Sequence, residues 1–459
     1  MAGQESLNSL DREELIRIIL EQQKLIEQLR AEIEQLKRRG SAAPFSKGPS
    51  KANPKPPGRK PGQGPFLRRD APAVGPDQPV IPVGVRERCC PDCGGELGEE
   101  KPELVSISDI PRQPKPEVRL YAVGVRRCRR CGRSVRGQHP EVAADQQGAT
   151  AHRLGQRVKA LGHILHYQHG VPVRKVPAVI EEMTGLRLTQ SALTQDALKQ
   201  TDGPMGTAYH RLREIISRAD VAHTDDTGWR IGGRTAYLMV FATRTETVYQ
   251  IRERHRNQEV REVISTQFAG VMVCDRGRSY DAEELVPVAQ QKCLAHLIRN
   301  AGEIADGKKG RAKEFGQNLK QLLKQALELA EERATLPPAD YQQRVGEFNG
   351  QLTHYLRNRI LRDDDNQRLL NGVGTQHDRG NLLRFLNDPR IEPTNNRAER
   401  ALRPAVIARK VSHCSKNERG ARAFEAFVSV LQTARNTCTT RITDVLCSLL
   451  DGTQAAAPT

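Results

Sequence analysis

Val221-Ala222-His223-Thr224-Asp225-Asp226-Thr227-Gly228-Trp229 and Val271-Met272-Val273-Cys274-Asp275 are the stretches that decide how this chain folds. Each opens on a short apolar run of strand character and reaches an aspartate, whereas a third acidic stretch, Asn395-Asn396-Arg397-Ala398-Glu399-Arg400, reads as the start of a helix. Two strand ends and one helix face can meet at a point although they are far apart in sequence, so Asp225, Asp275 and Glu399 are expected to converge. Three hard carboxylates in one place suit two divalent cations about 3.5–4 Å apart, one activating a water or a 3′-hydroxyl and the other steadying the leaving oxygen. Breaking and joining phosphodiester bonds both follow from such a centre. Taken singly, each residue also has an ordinary explanation: a turn before Thr227-Gly228 for Asp225, a helix cap or turn beside Arg276-Gly277 for Asp275, and a surface ion pair with Arg403 for Glu399.

The strand pattern continues outward from these stretches. Residues 219–225 run from apolar to acidic, 235–242 form a buried-strand pattern, 247–251 give a third strand, and a helix from Asn257 to Thr266 leads to a fourth at 270–275. Three consecutive strands, a crossover helix and a strand ending in Asp match the ribonuclease-H-like order. The expected fold class is multidomain α/β, with a ribonuclease-H-like catalytic core at 218–306 and 388–435, an α-helical insertion at 307–387, and a C-terminal helix and tail at 436–459. Trp229, the only tryptophan, is expected to pack in the core, with stacking on a frayed base as the alternative. Cys293 and His296 fall after the fifth strand as core or DNA-facing residues, because no second ligand pair stands at a suitable spacing.

Composition points the same way. The chain carries 72 Lys and Arg against 55 Asp and Glu in 459 residues, which favours a multidomain binder of polyanions. It has no run of about 18 apolar residues and no N-terminal signal stretch, so no membrane partner and a cytoplasmic, nucleoid-associated location are expected.

Four segments precede the core. In 1–39, Ile19, Ile26 and Ile33 take heptad position a and Leu15, Leu29 and Leu36 position d, with Gln22 the single polar d residue; the pattern predicts a coiled coil and hence a homodimer or higher oligomer. An amphipathic helix packed on its own protein is the alternative. Residues 40–82 form a basic Pro/Gly-rich linker: ten basic residues and no acid lie between Lys37 and Arg69, and Arg59, Lys60, Arg68 and Arg69 are candidates to follow phosphates or enter a minor groove. A merely solvated tether would look the same. In 83–145, Cys90, Cys93, Cys128 and Cys131 form two C-x-x-C pairs, each followed by Gly, which suits one structural zinc; Cys89 is a bystander. Seven arginines and no acid lie from Arg119 to Arg136, giving Arg126, Arg127, Arg129 and Arg130 as a phosphate-binding face, unless the run is incidental to the metal site. In 146–217, Val173–Met183 and Thr189–Leu198 flank Thr184-Gly185-Leu186 with the shape of a helix-turn-helix, Thr189 serving as N-cap; a plain helical hairpin is the alternative.

On Asp225-Asp226-Thr227-Gly228, Val273-Cys274-Asp275, Cys293-Leu294-Ala295-His296-Leu297, Asn395 through Pro404, Arg409-Lys410 and the tract from Gly420 to Ala434, the chain resembles the insertion-sequence 66 family of DDE transposases over nearly its whole length. The resemblance implies a ribonuclease-H-type fold with a helical insertion, magnesium- or manganese-dependent chemistry, and Asp225, Asp275 and Glu399 as catalytic ligands. Asp226 stands where Glu is common and Arg276 where Gly is usual, but neither removes a carboxylate. Arg400 and Arg403, beside Glu399, join the candidate DNA-binding residues. The function implied is binding of an element's terminal inverted repeats, cleavage, and strand transfer into target DNA. The competing reading is a catalytically inactive zinc and helix-turn-helix regulator, and a structure-specific nuclease is a third that leaves the binding modules unexplained.

Overall fold

The computed structural model describes parts of residues 11–29, residues 80–99 and 114–137, and residues 154–450, apart from positions 87 and 358. The chain divides into two compact units, Met1–Pro111 and Arg112–Thr459. Arg59, Lys60, Arg68 and Arg69, heptad positions Leu15, Ile33 and Leu36, and the tail from 451 lie outside the described residues. Within the first unit, the described residues of 11–29 are mostly helical, and Ile19, Ile26 and Leu29 are all exposed.

In the second unit, strands β1 (Val125–Arg127) and β2 (Ser134–Arg136) make a small antiparallel ribbon. Helices α1 (Gln156–His163), α2 (Val176–Thr184), α3 (Gln190–Thr201) and α4 (Pro204–Ser217) follow. Gly185 ends α2 in the left-handed region at φ 72°, where glycine carries no side-chain penalty, and Thr189 caps α3 by accepting from the Ala192 N–H at 3.2 Å.

The central sheet has the order β5-β4-β3-β6-β7. Strands β3 (Val221–Ile231), β4 (Arg234–Ala242) and β5 (Thr247–Arg252) form an antiparallel meander. Gly232 and Gly233, at φ 57° and 84°, make the two-residue turn from β3 to β4, in which both central residues need positive φ to match the strands' twist. Beyond the short α5 (Asn257–Arg261), β6 (Val271–Cys274) and β7 (Ala289–Lys292) run parallel to β3.

Two sequence expectations are corrected here. Strand β3 does not end at Asp225 but continues to Ile231, because Trp229 and Ile231 alternate with exposed Arg230 and keep one face buried against the core. Helix α5 stops at Arg261 rather than Thr266: Val263 turns back to the Val260 carbonyl, a tighter bond that closes the segment.

Alternation on β6 separates the two larger of the three cores among the described residues. Met272 and Cys274 face one, with α4, α10 (Asn396–Ser412) and α11 (Glu418–Thr437); Val273 faces the other, with α6 (Leu294–Asp306), α7 (Gly310–Glu332), α8 (Pro338–Leu356) and α9 (Asp364–Asp378). Helices α7 to α9 thus stand in the chain between the last strand and the helix that carries Glu399. A final helix, α12 (Ile442–Leu450), packs on α1.

Strand β5 is the sheet edge, and α11 covers it in register. The outward N–H groups of Thr247, Tyr249 and Ile251 donate to Thr433 Oγ1, Ser429 Oγ and Glu425 Oε1. Two strand residues advance about 6.6 Å and four helix residues about 6.0 Å, so the two spacings stay matched over three contacts. An edge that would otherwise template pairing with another chain is closed.

Candidate active site

His223 of β3 pairs with Val273 of β6, so Asp225 and Asp275, each two residues further on, stand level and on one face where the parallel ladder ends. The Asp226 N–H donates to Asp225 Oδ1 at 2.9 Å and the Gly277 N–H to Asp275 Oδ1 at 2.8 Å. Burial is the chief reason that the Asp225 carboxyl is pushed up to about 7; Asp275 and Asp226 push the same way, while the Asp226 N–H and His296 pull against them. These carboxylates repel one another, and the protein supplies only partial compensation.

Glu399 arrives from α10. Asn395, fully buried, anchors the helix start: its Nδ2 donates to the Thr224 carbonyl at 2.8 Å and its backbone N–H to Cys293 Sγ at 3.1 Å. Glu399, one turn on, stands 3.7 Å from His296 Nε2, in the first turn of α6. The Cys293 thiol, through its hydrogen bond, and Glu399 hold His296 above its usual value against the effect of burial. Among the described residues no ion pair joins Glu399 to Arg403, so that ordinary explanation falls, and Arg400 and Arg403 are exposed. In the arrangement seen, no three His, Cys, Asp or Glu side chains among the described residues are gathered closely enough to hold a metal ion: Asp225 and Asp275 form a pair, and Glu399 is turned to His296.

Asp226 faces away from this pair. It lies 3.3 Å from His255 Nδ1, whose ring packs against Tyr237 and Tyr280. Trp229 is buried against Phe424 and donates to Ser415 Oγ at 3.2 Å, which settles its role as packing and excludes the base-stacking alternative. Arg276 turns from the carboxylates onto α9, where its guanidinium fills the space beside Gly372; a Cβ on that glycine would stand 2.2 Å from Arg276 Nη2.

Lys292, at the end of β7, is a site residue that sequence reasoning misses. Fully buried, it donates to the Asp275 carbonyl at 3.1 Å and to Cys274 Sγ at 3.3 Å, and pairs with Asp281 at 2.7 Å. One ammonium thereby braces the loop that follows Asp275 at both ends. The only sequence signal is a lysine after Ala-Gln-Gln, which has no strand or catalytic signature. Arg409, by contrast, belongs to a quoted stretch, and it ties α10 to β3 by donating to Thr227 Oγ1 at 2.9 Å and to the Gly228 carbonyl.

The cysteine pairs make two knuckles of like geometry, one in each unit. The Cys90 N–H bonds the Gly95 carbonyl and the Gly94 N–H the Cys90 carbonyl; Cys128, Arg133 and Gly132 repeat the pattern. Gly94 and Gly132 have φ of 71° and 70°, as the turn after each second cysteine requires. N–H groups of Cys93 and Asp92 lower the Cys90 thiol, and those of Cys131 and Arg130 lower Cys128. All ten cysteines are free thiols, and Arg126, Arg127, Arg129 and Arg130 are exposed.

No described helix is long and apolar enough to cross a membrane. A family model described as Transposase IS66 family matches residues 152–423, more than half of the chain and all three carboxylates. No curated protein matches the chain.

Proposed function

This chain belongs to the Transposase IS66 family, and from that premise we propose that it binds the terminal repeats of its insertion sequence and catalyses metal-dependent DNA cleavage and strand transfer. The observation that carries the catalytic reading is the level placement of Asp225 and Asp275 on adjacent parallel strands, half-buried and, among the described residues, with no ion pair to either carboxylate. The strand order, three antiparallel strands with two parallel strands beside the first, supports a ribonuclease-H-like core.

The donor set fits a hard divalent cation. Asp225, Asp275 and Glu399 offer oxygen ligands, and the raised Asp225 carboxyl marks a site short of positive charge. Magnesium or manganese held there supplies an activated water or 3′-hydroxyl and neutralises charge on the leaving oxygen. The chain's own residues do the rest: Lys292 holds the Asp275 loop in place, Asn395 sets the start of α10, and exposed Arg400 and Arg403 stand ready for phosphates beside Glu399. The exposed Ile19, Ile26 and Leu29 support self-association through the N-terminal helix. The C-x-x-C spacing and the lowered Cys90 and Cys128 thiols support one structural zinc per chain, checked by metal analysis of unchelated protein.

The test of function is a magnesium-dependent cleavage and strand-transfer assay on element ends, run beside a gel shift on the same DNA. Wild-type protein is expected to cut and join; binding without cutting at any magnesium or manganese concentration would leave only the inactive-regulator reading.

A further inference from the structure

A cavity of about 810 Å³ opens where the end of α4, the start of β3, the β4–β5 turn and the 389–397 segment meet. Arg211, Arg218, Arg244, Arg390 and Arg397 line it together with His223. We propose that this cavity is a nucleic-acid subsite, seating the phosphates of a single DNA strand on its way to or from the carboxylate pair. The proposal rests on the transposase reading above and adds a second place where the DNA is held.

Charge accounting favours an anion. Arg390 is engaged by Asp220 at 2.8 Å and by Asp388, and Arg397 by Glu392, so these two guanidiniums are already taken. Glu246 accepts from the Thr243 and Thr245 hydroxyls. Arg211, Arg218 and Arg244 remain exposed and, among the described residues, without an ion pair or side-chain hydrogen bond; Glu214 and Glu246 are the lining carboxylates without a cationic partner. Five lining arginines against four lining carboxylates leave the cavity positive by one, and three of the guanidinium forks have no partner, which makes a surface for phosphate oxygens that such forks match in geometry.

His223 is the second, independent observation. It is only 2% exposed, it lines the cavity, and its Nδ1 is buried without a well-formed hydrogen bond, the Asn395 side chain being a polar group near it. A buried polar atom left unpaired is costly, and a phosphate oxygen or its water would satisfy it. Placement then selects a nucleic-acid strand over a detached anion. His223 and Asp225 share one face of β3 two residues apart, about 7 Å along the strand, so a chain anchored at the arginines continues onto the carboxylates. The lining has few apolar side chains, which disfavours a folded protein partner, and its volume falls within the range of about 300–1,000 Å³ of built ligand sites.

The test measures fluorescence anisotropy of a labelled 30-nucleotide single strand with full-length protein across salt concentrations, comparing wild type, Arg218→Ala/Arg244→Ala, Arg218→Lys/Arg244→Lys and Asp225→Asn. Both arginines are on the surface, and a thermal melt confirms that each variant folds. Loss of two phosphate contacts should make the log-log salt slope shallower by about 1.4, at roughly 0.7 per contact on a single strand. The lysine variant should recover most of the slope, and Asp225→Asn should keep the wild-type slope while failing to cut. An unchanged slope in the alanine variant overturns the subsite and leaves the transposase reading intact. Cutting by Asp225→Asn overturns the catalytic assignment and leaves the subsite standing. Competition by polyglutamate as strong as by unlabelled DNA assigns the cavity to an acidic peptide instead and overturns the proposal.

Discussion

Two carboxylates at the same sheet, one against its edge and one on its central strand, are treated in opposite ways. Glu425, on α11, is almost fully buried, and the fold gives it a complete set of partners: the Ile251 N–H and the Arg252 guanidinium, which Glu262 holds in turn. Asp225, on β3, is given more carboxylates: Asp275 level with it and Asp226 beside it. A carboxylate that serves architecture receives its counter-charge from the chain, because an unpaired buried charge is expensive. One that lacks it marks a place where positive charge is brought from outside.

The largest expected effect tests that contrast in function. Asp225→Asn, Asp275→Asn and Glu399→Gln keep shape but remove an anionic oxygen, so metal-dependent cleavage should drop by about 10³-fold or more, with end binding retained. Asp226→Asn should cost no more than about tenfold, because Asp226 faces His255 on the other side of the strand and an amide oxygen can still face that imidazole. The comparison breaks if Asp226→Asn abolishes cutting while Asp225→Asn does not.

Next in size is the structural partner. Glu425→Gln leaves Arg252 short of charge and should destabilise the fold by about 2–3 kcal/mol in chemical denaturation, with cleavage per folded molecule unchanged. Loss of activity without loss of stability would show that Glu425 is not the architectural member of the pair.

Legibility in the sequence follows the same division. Strands β4 and β6 are apolar runs, so they stand out, as do Asp225 and Asp275 at the ends of such runs and Thr189 as a helix cap. Strand β7 is legible only as a fifth strand without bounds before Cys293, because its buried residues are polar: Gln290 Nε2 bonds the Tyr280 and Leu285 carbonyls, Gln291 Nε2 bonds the Leu382 carbonyl, and Lys292 pairs with Asp281. Most of those partners lie outside the strand, some far away in sequence, and hydrophobic periodicity cannot see them. The true length of β3 is obscured similarly, since Asp225, Asp226 and Gly228 interrupt its pattern and pairing with β4 overrides it. The partner of Glu399 was also beyond reach: local spacing offers Arg403, whereas the fold brings His296 from α6.

A smaller effect should come from Lys292, a buried cation set behind the carboxylate pair. Lys292→Met removes the brace on the loop after Asp275 and should raise the magnesium concentration for half-maximal cleavage about tenfold, in the range of groups that orient metal ligands indirectly. Lys292→Arg should recover only part of this, since a fully buried site has little room for the larger guanidinium. An unchanged magnesium requirement alongside a lowered melting temperature would make Lys292 purely architectural.

The smallest expected effect is on stability, and its response to magnesium separates the two carboxylates. The Asp225 carboxyl is raised from 3.8 to about 7, so the folded, metal-free chain binds a proton that the unfolded chain has released. That contribution is fully present below about 3.8 and is lost as pH climbs toward 7. The chelated protein should therefore melt at lower temperature as pH rises through this window, and Asp225→Asn should flatten the decline. Glu425 is also raised, by burial against the pull of Arg252, so acidity alone does not distinguish the two sites. Magnesium does: at pH 7.5 it should raise the wild-type melting temperature by about 2–4 °C, the scale of ~1 kcal/mol in a domain of this kind, by the same amount in Glu425→Gln, and not in Asp225→Asn. A magnesium shift that persisted in Asp225→Asn would place the cation elsewhere and remove the contrast between a carboxylate the fold has paired and one it has left for a metal.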